Sequence, residues 1–300
     1  MFATIGRSWE LYKVCWRVLR YDKELLLFPL ISGIALVITM AVIFGSGLVT
    51  RVADSVDEQF EMVPADYVIL GVFYFINYFI IIYFNAAIIG AARIRLQGGD
   101  PTLRDGFQAA NRNLRGIVGW AAISAVVSLI FYALDKFARS QASGRGGGIA
   151  IIALMMLSWV AKAAWSIITY LVIPVLVVEG VGPIEAIKRS ASLLRRTWGE
   201  QLVSRFGFDL MVMILAIPIV IVAVVIGAII PAPAGVIVSV AVGVVGIGLL
   251  ILVTAALRAI YIAVLYEYAV TGSVPQMFPQ ELVTNSWTPG VGTPYSSFRA

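Results

Sequence analysis

Five polar residues set inside long apolar blocks are where this chain could do chemistry: Lys162, Asp209, Arg258, Asn77 and Asn85. An ionisable side chain in hydrocarbon is costly, so it pairs with another or lines a path for an ion, proton or solute. Lys162 falls midway along the block Ile149 to Val178, between Trp159 and Trp165. It can line a water-filled cavity for an anionic solute or lipid headgroup, or its stem can snorkel outward from an overlong, tilted helix, which is the preferred reading. Asp209 opens the fifth block and Arg258 lies near the end of the sixth. Both reach the same depth and are expected to pair, as a staple between helices rather than as a transport site. Asn77 and Asn85 can hydrogen-bond across helices, while Pro29, Pro174 and Pro218 interrupt their blocks as the common kinks of membrane helices do, although interrupted helices also build transporter sites.

Other chemistry is closed off by residue type. There is no His, which removes Ser-His and Cys-His nucleophiles, His-ligated metals and His proton relays. Cys15 is the single cysteine, so neither a disulfide nor a thiolate metal site can form within the chain; it is read as a small residue of an apolar face. No Gly-Lys-Ser/Thr phosphate loop occurs. Asp209 and Glu267 are the carboxylates nearest the apolar blocks, and neither has an evident mate for acid–base work. The expectation is therefore a protein that is not an enzyme, with no catalytic residues, no metal, no cofactor and no nucleic-acid partner.

The elements that hold these residues follow from composition. The chain is 60% hydrophobic and 13% charged, with a mean hydropathy of +0.94, far from a soluble domain. Six blocks can cross about 30 Å of hydrocarbon at 1.5 Å per residue: 25–49, 67–92, 117–134, 149–178, 208–230 and 236–265. Backbone groups in lipid must be satisfied internally, so the fold class expected is an all-α membrane protein of six transmembrane helices. Residues 1–271 form this membrane domain, and 272–300, rich in Pro, Ser and Gly, form a disordered tail.

Cations set the orientation. Arg7, Lys13, Arg17, Arg20 and Lys23 precede the first block; Arg93, Arg95, Arg104, Arg112 and Arg115 follow the second; Lys188, Arg189, Arg195, Arg196 and Arg205 follow the fourth. Against these stand Arg51, Lys136, Arg139 and Arg145. By the positive-inside rule both termini of this multi-pass membrane protein are cytoplasmic.

Three cationic stretches share a design of a short amphipathic helix leading into a pair of spans. A shift of 176 positions lays Leu11, Cys15 and Val18 on Ile187, Ala191 and Leu194, with Lys13 on Arg189 and Arg20 on Arg196. The stretch Pro101 to Arg115 follows with Leu103, Phe107, Ala110 and Leu114 as its apolar line. A threefold unit of interfacial helix plus two spans is the reading, with chance similarity as its competitor. Arg17, Arg20, Arg112, Arg115, Lys188, Arg189, Arg195 and Arg196 are the candidate contacts to anionic headgroups, while Trp9, Tyr12, Trp16 and Leu11 sink into the interface. The competing reading makes these stretches plain connectors and topology signals.

Val172-Ile173-Pro174-Val175-Leu176-Val177-Val178-Glu179, Gly182-Pro183-Ile184-Glu185-Ala186-Ile187-Lys188-Arg189-Ser190 and Trp198-Gly199-Glu200 resemble the central signature of an uncharacterised family of prokaryotic six-span membrane proteins. Ser8-Trp9-Glu10, Asp22 to Pro29 and Leu265 to Ala269 resemble its two ends. The run is also distantly similar to the membrane domain of glycerophosphoryl diester phosphodiesterases, whose chemistry belongs to a separate domain, so the resemblance implies a bacterial or archaeal plasma membrane and no activity. The function expected is a non-catalytic scaffold, assembly or membrane-organising component, its basic cytoplasmic face meeting anionic lipid and unknown protein partners. The alternative is a permease or channel with Lys162 in a polar cavity.

Overall fold

A computed structural model describes residues 2–45, 47, 63–140, 148–197, 205–273, 275 and 278. Every regular element among them is helical: α1 (Phe2–Tyr21), a 3-10 turn (Lys23–Leu26), α2 (Leu27–Gly45), α3 (Pro64–Leu96), α4 (Leu103–Arg112), α5 (Leu114–Ser140), α6 (Gly148–Ile168), α7 (Val172–Glu179), α8 (Pro183–Thr197), α9 (Arg205–Ile229) and α10 (Ala234–Thr271). Six stretches are long and apolar enough to cross a membrane: 23–45, 64–96, 114–138, 154–179, 212–229 and 234–271. That is the architecture of a multi-pass membrane protein. The tail expected from 272 onward lies almost wholly outside the described residues.

Two helices outrun their apolar blocks. α3 has 33 residues and α10 has 38, which makes α10 about 57 Å long against about 30 Å of hydrocarbon. An apolar count ends where lipid ends, whereas a helix continues until something stops it. Here the stops are glycines in the left-handed region, Gly98 at φ +85° and Gly272 at φ +69°, where a Cβ would be strained.

The chain divides into two compact units, one of Leu27–Ala92 with Asp100–Ser192, the other of Met1–Leu26, Arg93–Gly99 and Leu193–Ala300. In the first, burial concentrates at one end of the helices: Phe28 on α2, Ala86 to Ala92 on α3, Ile117, Trp120, Ala121 and Ala125 on α5, and Leu171 to Leu176 apart from the half-buried Ile173. α4 is seated there through small residues. Gly106 lies under the Phe28 ring, Gly90 faces Ala109, and the Phe28 and Phe107 rings meet edge to face at 5.3 Å. Thr102 and Asp105 start the helix with a reciprocal capping box. The Thr102 hydroxyl and N–H, donating to it, hold the Asp105 carboxyl below the usual carboxylate range. The contact line of α4 is thus Gly106, Phe107 and Ala110; of the expected Leu103–Phe107–Ala110–Leu114 series, Leu103 is half-buried and Leu114 is exposed at the start of α5.

The fourth apolar block is not one helix. It breaks at 169–171, between α6 and α7, and not at Lys162. Pro174 explains the place: it has no N–H to donate, and its ring crowds the carbonyl four residues earlier. Ser190, fully buried on α8, repairs the break by donating to the Ile168 carbonyl at 2.6 Å and accepting from the Leu171 N–H at 3.1 Å. Asn113 donates to the Leu176 and Val181 carbonyls at 2.9 and 3.0 Å. This task sets the register of α8, whose buried line is Ala186, Ser190, Leu193 and Leu194 rather than Ile187, Ala191 and Leu194. Ser190→Ala strips both break groups of their partner and is expected to cost about 1–3 kcal/mol. Thermal unfolding in detergent checks this, and an unchanged midpoint would mean that the bridge contributes nothing.

In the second unit α1 packs against α9 and α10. Val14, Cys15, Val18 and Leu19 are buried on α1, and the buried side chains of α10 cluster between Thr254 and Tyr266. Thr254 lies 20 residues from Ala234, about one hydrocarbon thickness. The segment of α10 that outruns lipid is the segment that protein covers. Closer to its start α10 meets α9 through Gly246 against Ile219 and Gly227 against Ser239, small residues that let two helices approach in lipid.

Candidate functional site

Lys162 is joined to Asp135. The Lys162 Nζ lies 2.5 Å from Asp135 Oδ2, Ser158 Oγ donates to the other carboxylate oxygen at 2.7 Å, and the ammonium stands 5.8 Å from the centre of the Phe131 ring. The spacing builds this cluster. Phe131 and Asp135 are four apart on α5, Ser158 and Lys162 four apart on α6, so each pair shares a helix face. Helical side chains lean toward the helix N-terminus, which for α6 is the end where α5 finishes. Lys162 therefore reaches back toward Asp135. Further along the same two helices, Trp120 and Trp165 stack at 5.7 Å.

Depth follows from counting. Asp135 is 20 residues beyond Arg115, about 30 Å along α5, one hydrocarbon thickness. The side chains of Lys162 and Asp135 remain 40% and 35% exposed, so the pair is not in a packed interior, and where water reaches it such a pair contributes up to about 1 kcal/mol. Asp135→Ala leaves the lysine without its carboxylate near the apolar layer. We expect the yield of folded protein to fall several-fold, a cost of about 1 kcal/mol, and to recover in Asp135→Ala/Lys162→Ala. A double variant no better than the single one would contradict the pairing.

Asp135 was missed from sequence because it stands one residue past the end of its apolar block, where it reads as loop. The signal available was the matched spacing of four on the two flanking helices.

The other intramembrane candidates have simpler fates. Asn77 donates to the Phe73 carbonyl at 2.8 Å and accepts from the Thr39 hydroxyl at 3.1 Å, which ties α3 to α2. Asn85 is half-buried two turns further along α3. Arg258 is exposed on α10, and the Asp209 side chain, its expected partner, lies outside the described residues.

Asp22, Glu267 and Glu179 are matched with cations. Arg95 grips both oxygens of the buried Asp22, Arg93 meets Glu267 at 3.3 Å, and Arg189 meets Glu179 at 3.1 Å. Glu267 thus has a guanidinium for its mate. These are fastenings rather than acid–base pairs of carboxylates, and no cluster of His, Cys, Asp or Glu able to hold a metal occurs among the described residues. Of the headgroup candidates, Arg17, Arg20, Arg112, Arg115, Lys188 and Arg195 are exposed. Arg189 is half-buried in its ion pair, and the Arg196 side chain lies outside the described residues.

Cys15 is fully buried, and that burial pushes its thiol well above the usual range. A maleimide is expected to label it at least about tenfold faster in denaturant than in the folded protein. Equal rates would place it at the surface.

A family model described as "Family of unknown function (DUF6159)" matches residues 64–276, from the first residue of α3 to just past α10. No curated protein matches the chain.

Proposed function

We propose, on the premise that this chain belongs to the family of unknown function DUF6159, that it is a non-catalytic organiser of the prokaryotic plasma membrane, a scaffold or assembly component with both termini in the cytoplasm. The carrying observation is how its polar groups are spent. Side chains inside or beside the spans are tied to one another, as in Lys162–Asp135, Arg95–Asp22, Arg93–Glu267 and Ser190 at the helix break. Arg17 and Arg20 on α1, Arg112 on α4, Arg115 at the start of α5, and Lys188 and Arg195 on α8 are exposed. A protein built this way holds itself together and offers a basic face. Its partners are anionic headgroups, worth about 1 kcal/mol per cation near the surface, and protein companions. The repeated plan of surface helix plus two spans would present that face three times.

Mild extraction after chemical cross-linking tests the scaffold role. Recurrent companions are expected in independent preparations, and recovery of the chain without any would count against it.

One observation favours a second reading, a permease: the fourth span is broken, as transporter helices are at their sites. Against it, the break's freed groups are occupied by Ser190 rather than left for a ligand. Uptake of an anionic solute into proteoliposomes, abolished by Lys162→Gln, would move the balance to transport.

A further inference from the structure

The outward face of α1 combines two residue types that meet at membrane surfaces. At 100° per residue, Trp9, Lys13, Trp16, Arg17 and Arg20 fall within an arc of about 100°, and all five are exposed. The opposite arc holds Val14, Cys15, Val18 and Leu19, all buried. The tryptophans stay available to an interface as the sequence suggests, but the apolar line expected to sink with them does not. Protein covers the apolar line, and the tryptophans share their face with the cations.

That face is organised. Trp9 stacks on Tyr12 with centroids 6.0 Å apart and planes within 1°, and the Lys13 ammonium lies 5.8 Å from the Trp9 ring centre. Its level is set by its neighbours. α1 packs on α9 and α10, whose covered segment begins one hydrocarbon thickness from Ala234. Asp22, just past the end of α1, is held by Arg95, and only the turn Lys23–Leu26 separates α1 from α2. Given the membrane placement proposed above, a helix so tethered lies at headgroup depth. There, indole rings prefer the interface and Lys and Arg gain from anionic lipid.

We infer that this face of α1 is a docking surface for anionic phospholipid headgroups, with Trp9 and Trp16 as the interfacial anchors and Lys13, Arg17 and Arg20 as the phosphate contacts. The inference rests on the membrane placement and basic-face reading proposed above, and it assigns the contact to one helix that precedes the matched family region. A positively charged aromatic face can also take an acidic protein or a nucleic acid, but the short tether to α2 favours lipid.

The test uses the full chain in proteoliposomes of phosphatidylcholine with or without about one third phosphatidylglycerol, either lipid brominated to quench tryptophan. The signal of Trp9 and Trp16 is the difference between the parent and Trp9→Phe/Trp16→Phe. Brominated phosphatidylglycerol is expected to quench that difference about twofold more than brominated phosphatidylcholine, and raised salt or Lys13→Gln/Arg17→Gln/Arg20→Gln should erase the excess. Equal quenching by the two lipids, or a difference signal as open to aqueous acrylamide as it is in detergent, overturns the assignment and fits a face that meets a soluble macromolecule. Phosphatidylglycerol co-purifying with the protein separates the two possible failures. If it is enriched and lost only in Arg112→Gln/Arg115→Gln/Lys188→Gln, the α1 assignment fails and the basic-face reading stands. If it is enriched in no preparation, both fail.

Discussion

Arg95→Ala is expected to destabilise the protein by about 3 kcal/mol, the lower end of what breaking a buried ion pair costs. The remaining partner decides the magnitude. Asp22 is 7% exposed and both its oxygens are taken by one guanidinium, so removal of Arg95 leaves a carboxylate with neither water nor counter-charge. The lower end applies because the Arg95 side chain keeps 20% of its surface. Geometry explains why this pair matters more than Arg189–Glu179, whose members are half-exposed. It clamps the joint between α1 and the 3-10 turn to the last turn of α3. Asp22→Asn should cost less, since an amide oxygen can still accept one of the two bonds. Thermal unfolding in detergent of the two single variants and of Asp22→Ala/Arg95→Ala completes a cycle, in which the double variant recovers part of the loss. A loss below about 1 kcal/mol for Arg95→Ala would show the pair to be a surface contact.

Helix packing in the unit holding α4 supplies the second large effect. A Cβ on Gly90 would lie 2.3 Å from the Ala109 Cβ, and one on Gly106 would lie 2.4 Å from the Phe28 ring and 2.9 Å from the Ala87 carbonyl oxygen. A ring can rotate away, but the Ala109 Cβ and the Ala87 carbonyl belong to helix backbones that shift only as a whole. Gly90→Ala is therefore expected to cost about 1–3 kcal/mol by overpacking, and Gly106→Val at least as much. Gly33, with nothing within 4 Å of its Cβ position, is the control: Gly33→Ala should be neutral or slightly stabilising, as Ala is the better helix former. The decisive variant moves the methyl across the contact. Gly90→Ala/Ala109→Gly restores the volume, and should regain more than half of the loss despite the added glycine in α4. If it is worse than either single change, α3 and α4 do not meet there.

How far the sequence foretold this structure varies with the range of the interaction. The six spans were legible because hydrocarbon selects on composition over some 20 residues, a property that needs no partner. The ends of α3 and α10 were not, because those helices continue where protein replaces lipid as solvent for their apolar faces. Pro174 announced the break in the fourth span, yet the side chain that satisfies its freed groups, Ser190, lies on another helix. The apolar line of α1 was read correctly as a face and assigned the wrong neighbour: periodicity shows that Cys15 and Val18 are covered without showing by what. Asp22 with Arg95 carried no local mark, and Asp135 with Lys162 only the matched spacing of four on two helices, since each pair joins residues on different helices. The resemblance of residues 172–200 anticipated membership in an uncharacterised family, and that family brings no activity with it.

Impermeant thiol labelling is the most direct measure of the central proposal, a membrane-embedded chain whose basic end faces the cytoplasm. With Cys15 replaced by Ser, Lys188→Cys and Lys136→Cys are treated separately in intact cells and in inverted membrane vesicles. The account predicts that Lys136→Cys is labelled in intact cells, and that Lys188→Cys is labelled only in inverted vesicles. Labelling of Lys188→Cys from outside intact cells would contradict it.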